Sequence, residues 1–120
     1  MSFVLVGIGG AIGAVCRYGI GLISAEWNFP IKTLLINFIG SFLIGLFAGL
    51  FERVNVSQNT KLFTQVGLCG GFTTFSAFSL ENITMIESKE YGKASLYIFI
   101  SVASCILGVW LGKSLSKVFA

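Results

Sequence analysis

The chain has 120 residues, enough for one domain. It is 55% hydrophobic and 11% charged, with a mean hydropathy of +0.89; soluble domains carry about 25% charged residues, so a water-facing surface is excluded and a lipid-facing one is expected. Histidine is absent, which excludes a His metal site or a His general base, and the net charge of +3 comes from eight basic residues that do not cluster into a footprint for nucleic acid.

Four apolar stretches follow one another. The first runs from Phe3 to Ala25 and holds a single charge, Arg17. The second (Thr33 to Phe51), the third (Leu62 to Leu80) and the fourth (Ala94 to Gly112) hold none. Each comes close to the roughly 20 residues needed to cross the hydrocarbon core as a helix. Backbone polar groups in lipid must be bonded within the protein, so helices are expected. The fold class that follows is an all-α integral membrane protein, one domain over 1–120, with four transmembrane helices per subunit and no enzymatic motif. The first stretch lacks a basic leader and a small-x-small cleavage site, so it reads as a span rather than a signal peptide. The linkers Glu26–Lys32, Glu52–Lys61 and about Asn82–Lys93 are too short for a soluble domain. Pro30 marks the first turn, and Trp27 suits a membrane interface.

Basic residues set topology in membranes. With an even number of spans, one side carries Arg53, Lys61, Lys113 and Lys117. The other carries Lys32, Lys89 and Lys93, with Arg17 towards that end of the first span. The balance gives no clear orientation. That permits insertion both ways, or a weak bias decided by another factor.

Small residues recur at four-residue spacing: Gly9, Gly13 and Gly21 around Arg17; Ser41, Gly45 and Gly49; Gly67 with Gly71; Gly108 with Gly112. Such spacing lets membrane helices approach closely and predicts a tight bundle. Cys16, Cys69 and Cys105 lie within apolar stretches at no zinc-like spacing, and read as small packing residues.

Polar residues inside spans are costly and therefore informative. Thr33, Asn37 and Ser41 form one stripe, and Tyr97, Ser101 and Cys105 another, each at i, i+4, i+8. They serve either as interhelical hydrogen bonds or as the lining of a polar path. Asn37 is the sharpest case, because its NH2 can donate to an anion. The third stretch contains Gly67-Leu-Cys-Gly-Gly-Phe-Thr-Thr-Phe-Ser-Ala-Phe-Ser79. Adjacent Gly70 and Gly71 followed by Thr73 and Thr74 favour unwinding. The alternative is an intact helix with a glycine-rich contact face. Phe72, Phe75 and Phe78 lie three apart. Their rings are packing residues, or they offer positively polarised edges to an anion.

At these residues the chain resembles the Fluc (also called CrcB) family of bacterial fluoride channels, over essentially its whole length. The resemblance lies in Gly9-Gly-Ala-Ile-Gly-Ala-Val-Cys-Arg-Tyr18, Thr33-Leu-Leu-Ile-Asn-Phe-Ile-Gly-Ser-Phe42, Gly70-Gly-Phe-Thr-Thr-Phe-Ser-Ala-Phe-Ser79, Tyr97 and Ser101. The third-span motif is the specific one. One departure is Lys32, where the family usually has Gly. The resemblance implies an antiparallel dual-topology homodimer in the cell inner membrane or plasma membrane, with a broken third helix. It implies passive export of cytoplasmic fluoride. It further implies a structural Na+ at the dimer centre on the main-chain carbonyls of Gly70 and Thr73. By the same carry-over Phe75 and Phe78 line the fluoride path, with Asn37, Thr33, Thr74, Ser76, Tyr97 and Ser101 as polar neighbours and Arg17 structural or pore-adjacent. Two other readings remain. A small multidrug-type proton-coupled exporter needs a membrane-embedded carboxylate in its first span, where this chain has Arg17; Glu81 reads as interfacial. The third is a structural subunit of a membrane complex.

Overall fold

The computed structural model describes residues 1–23 and 29–119, all in helices or short connections. The helices are α1 (Ser2–Gly21), α2 (Ile31–Arg53), a single turn α3 (Gln58–Lys61), a π-helical segment (Leu62–Cys69), α4 (Gly70–Phe72), α5 (Phe75–Glu87) and α6 (Tyr91–Phe119). Three of them, α1, α2 and α6, are long and apolar enough to cross a membrane. Ala25, Glu26 and Trp27, at the expected end of the first span and in the first linker, lie outside the described residues.

The helices begin and end for local reasons. Pro30 has a fixed φ and no N–H, so it stands naturally just before α2. Ser57 caps α3, its Oγ accepting from the Thr60 N–H at 3.2 Å. At the end of α5 the chain turns through Lys89, whose φ of 61° is the one left-handed non-glycine among the described residues. The turn is closed by Lys89 and Glu90 N–H bonds to Ile86 and Met85 carbonyls at 2.9 and 2.8 Å. Helix α6 then runs for 29 residues, beyond the expected 94–112 at both ends. The extra turns carry Lys93, Lys113 and Lys117, long side chains that keep their charge in water while their stems follow the helix.

Two glycine-lined seams join the helices. In the first, α1 lies against the π-helical segment and α4. A Cβ on Gly13 would strike the Leu68 carbonyl and stand 2.7 Å from the Phe72 nitrogen, and one on Gly71 would strike Gly10. In the second, α2 lies against α6. A Cβ on Gly45 would strike the Val109 carbonyl, and one on Gly112 the Phe42 carbonyl. The obstacles are backbone atoms, which cannot swing aside. At Gly9, Gly13, Gly45, Gly67, Gly71 and Gly112 the expected small-residue spacing thus marks where backbones meet; Gly49 and Gly108 instead face the Ser116 and Phe38 side chains, and nothing lies within 4 Å of a Cβ on Gly21. The Gly21 carbonyl instead accepts from Lys32 Nζ at 2.9 Å.

The α2–α6 pair is also tied at one end. Arg53 Nη1 donates to Ser116 Oγ at 2.7 Å, Ser116 is fully buried, and Lys113 Nζ pairs with Glu52 Oε1 at 2.9 Å. The outward faces are apolar: Phe3, Val15, Tyr18, Phe99 and Trp110 are all more than half exposed. That is the surface of a protein whose solvent is lipid.

Candidate functional site

The site grows from the point where the third apolar stretch loses its helix. Thr73 and Thr74 take extended conformations, with ψ of 157° and 113°, between α4 and α5. Asn37 of α2 reaches this point. Its Nδ2 donates to the Thr74 carbonyl at 3.0 Å, and its Oδ1 accepts from the Thr74 N–H at 2.8 Å. The side-chain amide therefore stands in for a paired backbone. One N–H of Asn37 is left over, since an amide nitrogen carries two.

Helical arithmetic shows what this displaces. In a continuous helix each N–H bonds the carbonyl four residues earlier. The Thr74 N–H would bond Gly70 but bonds Asn37 instead. The Ala77 N–H would bond Thr73, yet it bonds Thr74 Oγ1 at 3.2 Å, capping α5. Gly70 and Thr73 have thus each lost the helical donor to their carbonyl. The carbonyl of Gly71, whose helical donor would be Phe75, accepts from Arg17 Nε at 3.3 Å. Arg17 reaches across from α1 to the edge of the break.

Beside the break lies a cavity of about 340 Å3. Asn37, Ser41, Gly70, Thr73, Thr74, Phe75, Phe78, Ser101 and Cys105 are among its lining residues. Ser101 Oγ is buried there with no partner among the described residues, an unmet hydroxyl that would cost free energy in a dry site. Phe78 is buried and Phe75 is 76% exposed, their centroids 5.4 Å apart.

The remaining polar residues gather beyond Phe78, which packs on Tyr97 at a centroid distance of 5.0 Å. Tyr97 is fully buried, with Phe29 edge-on to its other side at 5.3 Å. Its hydroxyl donates to Glu81 Oε1 at 2.7 Å, and Thr33 Oγ1 donates to Glu81 Oε2 at 2.7 Å. Thr33 and Tyr97 are therefore joined through Glu81 and do not line the cavity at the break. Ser76 does not border the cavity, but its exposed Oγ is hydrogen-bonded to Thr74 Oγ1 at 3.3 Å.

Glu81 was read from the sequence as an interfacial charge. The structure makes it the hub that joins α2, α5 and α6. A signal was available: Glu81 follows Phe75 and Phe78 at three-residue spacing, and so shares their face of α5. Cys69 and Cys105, read as packing residues, both border the cavity.

With this arrangement in view, the comparison with known proteins is direct. The family model described as "CrcB-like protein, Camphor Resistance (CrcB)" matches residues 4–113. The chain belongs to this family. Among its CrcB relatives, a protein named fluoride-specific ion channel FluC from Paramagnetospirillum magneticum is 44% identical, over 93% of this chain and 92% of its own length. Proteins of the same name from Azobacteroides pseudotrichonymphae and Methanococcus aeolicus are 40% and 39% identical, each over 96% of this chain. In this CrcB-like chain the matched region takes in α1, α2, the interrupted third stretch and most of α6, so every residue of the site lies within it.

Proposed function

We propose that this chain is a passive, fluoride-selective channel that exports cytoplasmic fluoride across the cell inner membrane or plasma membrane. In this reading it works as an antiparallel, dual-topology homodimer. Each subunit crosses the bilayer four times, and the third crossing is broken at Thr73 and Thr74. The observation that carries the reading is the gathering of Asn37, Thr74, Phe75, Phe78 and Ser101 around one cavity, in a chain whose relatives are named fluoride channels.

The chemistry of those groups suits an anion that must shed water and still leave. The spare N–H of Asn37, the unmet hydroxyl of Ser101 and the first-turn N–H groups of α5 are donors. The ring edges of Phe75 and Phe78 add weak positive potential without a trapping charge. Further along, the Tyr97 and Thr33 hydroxyls are held on Glu81. Fluoride, a strong acceptor, would compete with that carboxylate for the same two donors.

Among the described residues no group of three or more His, Cys, Asp or Glu gathers as a metal site. A resident cation would have to use neutral oxygens. Gly70 and Thr73 fit that demand for Na+, since the displaced bonds deprive both carbonyls of their helical donors. Two from each subunit would hold a monovalent ion better than Ca2+ or Mg2+, which take six or more oxygens and usually carboxylates. Bound there, Na+ would supply positive charge that offsets a passing anion.

Glu81 is the one observation that favours the exporter reading, because it is a part-buried carboxylate. The two readings separate in proteoliposomes. A channel releases fluoride down its own gradient when an ionophore supplies countercharge, and does so without a proton gradient. Fluoride release that requires a pH gradient would support the exporter instead, and no release would support a structural subunit. Labelling of a C-terminal tag in intact cells should find it on both sides of the membrane; a single side would overturn the antiparallel dimer.

A further inference from the structure

A second cavity, of about 360 Å3, has Glu81 in its wall and shares no lining residue with the cavity at the break. Phe29, Glu81, Thr84, Met85 and Lys93 contribute to its wall. Because Glu81 also holds Tyr97 and Thr33, this cavity meets the polar chain at Glu81.

Lys93 is the unexpected member of that wall. It is the third residue of α6, where no acidic side chain stands in the first turn. The positive end of the helix dipole disfavours a cation at such a position, and the local compensation is an i,i+3 ion pair with Glu90. Its side chain is 29% exposed, with Nζ 3.2 Å from Glu90 Oε2, and Glu90 is the more exposed partner at 46%. Lys93 and Glu81 border the same cavity, yet among the described residues no ion pair of 4 Å or less joins them. The ammonium is held at the wall by Glu90 and leaves the Glu81 carboxylate to its two hydroxyls.

We propose that this cavity is the mouth of the anion path and that Lys93 steers hydrated halide into it. The inference rests on the channel reading above. An anion reaching Thr33 and Tyr97 from this side must approach the Glu81 charge. With Glu81 and Glu90 both negative, the positive charge of Lys93 lowers the repulsion at this wall from two charges to one and so raises the local anion concentration above what it would be without the lysine. A low-dielectric wall concentrates such a field, and mobile salt weakens it. Lys93 touches no reacting group and acts on arrival alone, so its contribution must vanish when salt screens it.

The test compares wild type, Lys93→Arg and Lys93→Glu by fluoride flux from proteoliposomes. Ionic strength is set with an impermeant salt at about 10 mM, where the Debye length is about 30 Å, and at about 1 M, where it is about 3 Å. Lys93→Glu should reduce flux on the order of tenfold at low ionic strength and match wild type at high. Lys93→Arg should match wild type at both. Equal flux of Lys93→Glu and wild type at low ionic strength would overturn the proposal. So would a deficit that persists at high ionic strength, because that is structural damage and not steering. Absence of fluoride flux in wild type would instead defeat the channel reading.

Discussion

The α2–α6 pair and the chain between Leu62 and Glu87 are built from similar residues to opposite ends. Helices α2 and α6 are continuous, and their backbones come into direct contact at Gly45 and Gly112. The intervening chain changes helical type twice and loses its helix at Thr73 and Thr74. Yet the regular pair supplies Thr33, Asn37, Tyr97 and Ser101, the side chains that hold or face the irregular one. The lesson is a division of labour. Rigid helices present fixed polar groups, and one strip gives up its own hydrogen bonds to meet them. A mid-helix π segment is a known sign of such local departure.

The widest difference should come from the seams. Gly13→Leu places a side chain into the Leu68 carbonyl, where no rotamer can avoid backbone. The protein should fail to purify as a folded species by size exclusion. Gly19→Leu, on the same helix with nothing within 4 Å of its Cβ, should purify normally. If both behave alike, the seam is not what holds α1 to the irregular strip.

Next come the rings. Phe78→Ile keeps the bulk but removes the ring packed on both Phe75 and Tyr97. Aromatic edge interactions are worth about 0.5–1.5 kcal/mol, so fluoride flux should fall by up to about tenfold with folding retained. Full flux would make Phe78 a packing residue only.

The subtlest effect on folding belongs to Asn37→Ala. It removes both bonds to Thr74, and stranding those backbone groups would cost about 1–3 kcal/mol each. The Thr74 N–H has a way out: it can return to the Gly70 carbonyl and continue the helix. The variant should therefore keep a thermal midpoint within a few degrees of wild type while losing fluoride flux. A normal flux would separate the break from the function.

How far the sequence foretold this varies with the physics involved. Long apolar runs, charged only at Arg17, announced α1, α2 and α6, because lipid leaves the backbone no other choice. Helix α6 continues past its apolar run at both ends, where Lys93 and Lys113 remain helical while reaching Glu90 and Glu52. Within the third stretch, Gly70, Gly71, Thr73 and Thr74 pointed to the place of change. The π turns of Leu62–Cys69, which pack against α1, had no signature in the sequence. For the site, the stripe of Thr33, Asn37 and Ser41 was legible, but its partners were not. Spacing says which residues share a face, and nothing in it says that Thr33 and Tyr97 would meet on Glu81 while Ser76 turns aside.

Position 37 carries a consequence for the alphabet it will accept. The Thr74 peptide unit offers one donor and one acceptor, and Asn37 answers both from a single planar group. Only Asn and Gln carry a donor and an acceptor side by side on an amide. Gln holds that amide one methylene further out, a displacement of about one bond length in a clamp between α2 and the extended backbone at Thr74. Asp has the shape but no donor, and Ser falls short of the reach. Of the twenty letters the genetic code can write here, the clamp reads one.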